Sequence, residues 1–209
     1  MALNLTLGPL AVFAFVASIT PGPNNLLLLR SGARFGVRRS VPHMVGIQLG
    51  FQGLLLLSWL GVGAVLLTLP AGFTVLRWLC FAYLLWLAQL ILREALARPV
   101  TPASPPASAP THAARPMRLL EAMGFQLINA KAWMMTITVA SAFYGAARPG
   151  GRDIAVAGLV CLGIGATSSL AWNAWGAAIE RVLKRPAARR GFHGAMALLV
   201  LATAVWILL

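Results

Sequence analysis

Two short stretches carry residue types with which a membrane-embedded protein could hold a small charged solute. The first is Thr20-Pro21-Gly22-Pro23-Asn24-Asn25. Pro21 and Pro23 lack the N–H groups that would bond the carbonyls of Ala17 and Ile19, and their rings clash with the preceding turn, so a helix here must kink or unwind. Restarting it near Pro23 leaves backbone N–H groups around Asn24 and Asn25 at the positive end of a helix dipole, a setting that suits a carboxylate. The second stretch is Asn129-Ala130-Lys131-Ala132-Trp133. It puts an amide and an ammonium into apolar surroundings, where ionisable groups mark solute or ion pathways. Gln48 and Gln52, one turn apart and on the same run as His43, form a third polar set. Each has a plainer alternative: a packing kink, a lysine that snorkels to the headgroups, or amides that bond across helices.

The elements that must position these groups follow from composition. The chain has 209 residues, 59% of them apolar and 10% charged. A water-soluble domain carries about 25% charged residues, so that class is excluded. A bilayer core needs roughly 20 apolar residues per helix. Six such runs occur: Leu3 to Leu29, Val41 to Leu69, Ala71 to Leu92, Leu119 to Ala147, Ile154 to Ile179 and Phe192 to Leu209. Only helices satisfy their own backbone in lipid, so the fold class is an all-α membrane protein of six transmembrane helices, with helices 1 and 4 broken. No basic residue precedes the first run, so it does not read as a cleaved signal peptide. The Pro/Ala-rich stretch 98–116 reads as a linker between halves 1–97 and 117–209 of one transporter domain. Three spans per half oblige two like halves to enter the bilayer from opposite sides, which is the inverted-repeat plan.

Net charge is +13, from 17 Lys+Arg against 4 Asp+Glu. Most of the positive charges fall between apolar runs, so they speak for membrane orientation and not for nucleic acid. Arg30, Arg34, Arg38 and Arg39 read as one basic loop, Arg93, Arg98, Arg115 and Arg118 as a second, and Arg181, Lys184, Arg185, Arg189 and Arg190 as a third. The positive-inside rule makes these loops cytoplasmic and both termini external, in the cytoplasmic (inner) membrane. Gly46 and Gly50 form a GxxxG, and the small residues from Gly163 to Ser169 make the fifth run slim; both suit close helix packing. Three other functions have weaker support. Cys80 and Cys161 occupy non-equivalent places for a thiol-disulfide carrier. His43, His112 and His193 are too scattered for a metal-ion permease, and no nucleophile–base pair marks an intramembrane enzyme.

Thr20-Pro21-Gly22-Pro23-Asn24, the following Arg30-Ser31-Gly32-Ala33-Arg34-Phe35-Gly36, and Gly124-Phe125 leading to Asn129-Ala130-Lys131-Ala132-Trp133 together resemble the LysE superfamily. The chain is most similar to its homoserine/threonine-resistance and leucine-export branch, and the likeness covers essentially the whole chain. That resemblance implies a dimeric exporter of amino acids or their relatives, driven by an ion gradient, with the proton as the expected ion. The family usually has proline where this chain has Ala130, so the second interruption is expected to be the weaker one. The family also often has an acidic residue in the fifth span; here none precedes Glu180, so no proton-coupling carboxylate is assigned. The expected site is Thr20 to Asn25 with Gln48, Asn129 and Lys131. The solute carboxylate would meet the N-terminus of the restarted helix and Lys131. Its ammonium would meet the carbonyls of Ala17 and Ile19 and the amides of Asn24, Gln48 or Asn129. Such a cycle calls for no cofactor, and its partners are a small amino-acid-like solute and membrane lipid.

Overall fold

A computed structural model describes residues 2–62, 65, 68, 71–96, 115–142, 150–182 and 186–208. Within them the chain forms eight helices: α1 (Ala2–Ile19), α2 (Pro23–Arg39), α3 (Val41–Trp59), α4 (Gly72–Leu96), α5 (Leu119–Ile128), α6 (Ala130–Ala142), α7 (Gly151–Val182) and α8 (Pro186–Leu208). No strand occurs among the described residues. Helix α3 and the segments Thr74–Arg93, Gly151–Glu180 and Arg190–Leu208 are each long and apolar enough to cross a bilayer, and the pair Leu7–Ile19 with Pro23–Arg39, bent by 55°, makes a fifth. Leu120, Leu60, Leu198 and Trp206 are 64% to 75% exposed on the outer surface. For a helical protein of this composition that surface is where lipid lies, so the molecule is a multi-pass membrane protein.

Two element boundaries differ from the sequence reading. The arginines assigned to a first basic loop, Arg30, Arg34, Arg38 and Arg39, lie on α2, which stays helical to Arg39 apart from a kink at Gly36 (φ 76°, ψ 170°). That conformation is one that glycine adopts without steric cost. Leucine and arginine are good helix formers, and Arg38 and Arg39 sit where the negative end of the α2 dipole favours cations. Arg93, Arg181 and Arg190 are likewise helical, while Arg98, Lys184 and Arg185 lie outside the described residues. The second run was expected to reach Leu69, yet α3 ends at Trp59. The Leu60 N–H bonds the Leu56 carbonyl, and Gly61 takes φ 89°, the left-handed conformation that commonly ends helices. Of the linker 98–116, only Arg115 and Pro116 lie among the described residues.

Helix pairing follows a reciprocal pattern. The principal partners are α2 with α7, α3 with α5, and α4 with α8. Glycines permit the first two. A Cβ on Gly32 would stand 1.8 Å from the Asn173 carbonyl oxygen, and one on Gly176 would stand 1.9 Å from that of Leu29, so the backbones of α2 and α7 touch. Gly46 and Gly50 bring α3 close to α5, though less tightly: added Cβ atoms would lie 2.3 Å from the Leu119 oxygen and 2.9 Å from that of Met123. Close approach of this kind gives van der Waals contact in lipid, where no hydrophobic force pulls helices together. It also sets the two broken helix pairs on either side of a shared interior.

Candidate functional site

Helix α1 stops at Ile19, and the chain crosses Thr20 to Gly22 before α2 begins, with Gly22 as an extended N-cap (φ −171°, ψ 178°). The carbonyls at the end of α1 have recruited donors from elsewhere. Ser18 O accepts from Asn25 Nδ2 at 2.7 Å and from Ser168 Oγ at 2.9 Å. Ile19 O, expected to be open to a solute ammonium, accepts from Trp172 Nε1 at 3.2 Å. Thr20 O accepts from Asn25 Nδ2 at 2.9 Å and from Lys131 Nζ at 2.6 Å, with Pro21 O 3.5 Å from the same ammonium. Asn25 is thus a buried strap across the break, and Thr20 and Pro21, exposed themselves, take part through their carbonyls.

Lys131 stands in the first turn of α6, where its own helix dipole disfavours a cation. The carbonyls of Thr20 and Pro21, just beyond the negative end of α1, supply the compensation, and the ammonium rests on them. The side chain is half-buried, and a Cβ on Gly22 would lie 2.8 Å from its Cδ and 2.9 Å from its Nζ. The ammonium is therefore also beside the start of α2.

The second break is narrower than the first. One residue, Asn129 (φ −84°, ψ 95°), separates α5 from α6, against three residues in the first break. No proline is needed, because Asn129 caps both helices. Its N–H bonds the Gln126 carbonyl at 3.2 Å, and its Oδ1 accepts from the Ala132 N–H at 3.4 Å. Side-chain oxygen at a helix start satisfies a donor that the helix leaves bare. Trp133 Nε1 then bonds the Leu127 carbonyl at 3.0 Å, tying the two pieces together.

Amides join the two breaks. Asn24 and Gln126 exchange two hydrogen bonds, at 2.9 and 3.1 Å, and Gln126 also donates to the Ala122 carbonyl at 2.9 Å. On the opposite side Gln48 Nε2 donates to Ser169 Oγ at 3.0 Å, and the space for the Gln48 amide exists because Gly165 has no Cβ. Between them lies a cavity of about 60 Å³ whose walls include Gly22, Pro23, Asn24, Asn25, Gln48, Asn129 and Lys131. At about 15 Å³ per water this is room for roughly four waters. No acidic side chain is among its lining residues, so Lys131 is the charge there. Such a space offers an ammonium, amide donors and acceptors, and peptide carbonyls, which are the groups that complement a zwitterion.

A profile described as LysE type translocator matches residues 15–209. The chain belongs to that family. Members of the LysE family are translocators and not enzymes. Among its relatives, the cysteine/O-acetylserine efflux protein of Klebsiella pneumoniae is 31% identical over 174 residues, 81% of each chain. The leucine efflux protein of an Enterobacter species is 37% identical over 87 residues, 42% of this chain and 41% of that one. The cysteine/O-acetylserine efflux protein of Salmonella choleraesuis is 32% identical over 132 residues, 63% of this chain and 62% of its own. No solved structure matches the chain.

Sequence reasoning missed four polar residues of this LysE family member that the fold brings to the cavity or its rim: Gln126, Ser168, Ser169 and Trp172. Gln126 is fully buried and lies three residues before Asn129, so an amide pair at helical spacing within an apolar run was the available signal. The serines were read only as small. Gly22→Ala tests the geometry around Lys131. The added methyl meets only the mobile end of the lysine, so the fold survives, but the ammonium must leave the Thr20 carbonyl. Transport should fall at least about tenfold, the effect of roughly 1.4 kcal/mol, with the detergent melting temperature unchanged; wild-type transport would show that the contact has no bearing on the cycle.

Proposed function

We propose that this protein is a secondary transporter that exports a small neutral amino acid or close derivative across the cytoplasmic membrane by alternating access. The observation that carries the reading is the Lys131 ammonium seated on the Thr20 and Pro21 carbonyls in an acid-free cavity, in a family whose relatives are amino acid efflux proteins. Lys131 occupies the place a solute ammonium would take. An arriving zwitterion replaces it on the Thr20 carbonyl, and the lysine turns to the solute carboxylate, which also meets the N-terminus of α2 at Asn24 and Asn25. Asn24, Gln48 and Asn129 supply the remaining hydrogen bonds, and no cofactor takes part.

The molecule in this reading has six spans, with α5 and α6 together forming the broken fourth one, and two inverted halves. The helix pairing supports it: each broken pair packs on the first intact helix of the other half, and the last helices of the halves pack on each other. The basic ends face the cytoplasm and both termini face outward. The proton is the proposed coupling ion and a homodimer the proposed assembly. Counterflow in proteoliposomes, run with leucine, cysteine, O-acetylserine, homoserine and dipeptides, tests the function. Exchange of at least one, enhanced by a pH gradient, is the expected result; failure of all of them rules out amino acid export.

A further inference from the structure

A second cavity, about 110 Å³, opens at the basic end of the molecule. Its walls include Arg30 and Ser31 of α2, His43 of α3, Tyr83 of α4, and Arg115 and Glu121 at the start of the second half. His43 is 1% exposed, and neither of its ring nitrogens has a hydrogen-bond partner. Buried polar groups are nearly always partnered, so an imidazole with both nitrogens unfilled on a cavity wall points to something that enters the cavity. The charges say what kind of thing. Arg115 holds Glu121 through two bonds, at 2.9 and 2.6 Å, which cancels the one acid of the wall. Arg30 then leaves the cavity net positive. An imidazole N–H, a phenol and a guanidinium around such a space are carboxylate ligands.

The place of this cavity matters as much as its chemistry. Arg30 lies six residues beyond Asn24 on α2, about 9 Å along the helix, and Glu121 lies five residues before Gln126 on α5. Both helices therefore run from one cavity to the other, and the reciprocal Asn24–Gln126 amide pair stands between the two. We propose that the basic-end cavity is a second binding site, which holds the carboxylate of the transported solute before it passes the Asn24–Gln126 pair into the central cavity. That the carboxylate is the solute's rests on the export reading above; the cavity's selection of a carboxylate stands on its own residues.

The test reads occupancy and not transport. Leu90, on the α4 wall, is changed to cysteine in a Cys80→Ala/Cys161→Ala background, which removes the two native thiols. The protein is reconstituted in phosphatidylcholine vesicles and labelled with sulfonatoethyl or trimethylammonioethyl methanethiosulfonate. A positive cavity concentrates the anionic reagent, so it should react at least about tenfold faster than the cationic one. Excess sodium acetate should slow the labelling and methylammonium chloride should not. Adding Arg30→Gln and His43→Phe should abolish both effects. Trp86→Cys, on the same wall, serves if Leu90→Cys does not insert, and the first two arms decide the matter even if the double replacement fails to fold. Absent labelling, indifference to reagent charge, or protection only by vesicles containing phosphatidylglycerol and not by acetate each overturns the proposal, the last by assigning the site to lipid phosphate. Protection by acetate in a protein that fails every counterflow assay keeps the carboxylate site and removes the exporter; counterflow without protection does the reverse.

Discussion

Lys131→Met abolishes transport, by a factor of at least about one hundred, while the protein still inserts and folds. Removing one partner of a buried charge interaction costs about 2–5 kcal/mol, and a hundredfold corresponds to roughly 2.7 kcal/mol. The fold survives because the Thr20 carbonyl keeps its bond from Asn25 Nδ2, so the loss at the α1 terminus is about that of one ordinary hydrogen bond. Methionine also retains the length of the side chain. Lys131→Arg keeps the charge, but the broader guanidinium has little room beside Gly22, where an added Cβ would lie 2.8 Å from Cδ and 2.9 Å from Nζ, so it should restore little. Counterflow in proteoliposomes measures the loss, and gel filtration in detergent measures the fold. Export at the native rate by the methionine variant would eliminate the role given to this lysine.

Gly32→Ala unfolds the protein or lowers its melting temperature sharply, although alanine is the better helix former by about 0.5–1 kcal/mol. The new Cβ would lie 1.8 Å from a backbone oxygen of α7, and a backbone cannot step aside as a side-chain tip can. Helices α2 and α7 would have to separate along a contact that Gly176 makes equally close. Overpacking of this kind costs about 1–3 kcal/mol and more where backbone must move. Gly163→Ala on α7 is the control: nothing lies within 4 Å of its added methyl, so its melting temperature should hold or rise. Equal melting of the two variants would show that the α2–α7 approach is looser than described.

How far the sequence led depended on whether a feature was local. The break at Thr20 to Gly22 was readable because proline removes donors wherever it stands, and the position of Asn129 was readable from its polar neighbours in an apolar run. The helical state of Arg30 to Arg39 was not. Charge alone marks solvent access, and only packing against α7 through Gly32 distinguishes a solvated helix end from a loop. The end of α3 at Trp59 was hidden too, because the apolar run continues through Gly61 and the left-handed turn leaves no hydropathy signal. Within the site, the sequence assigned the Ile19 carbonyl to a solute, whereas Trp172, more than 150 positions away, bonds it. Gln126, similarly, acquires its meaning only when α5 is laid beside Asn24.

Many polar bonds of the interior join the first half of the chain to the second. Thr20 with Lys131, Asn24 with Gln126, Gln48 with Ser169, Ser58 with Thr136, Ser18 with Ser168, Ile19 with Trp172 and Leu28 with Asn173 all do so. In the export reading, the bonds at Thr20 and Asn24 are ones that a solute's charged ends would compete for, so its arrival would unlatch the two halves.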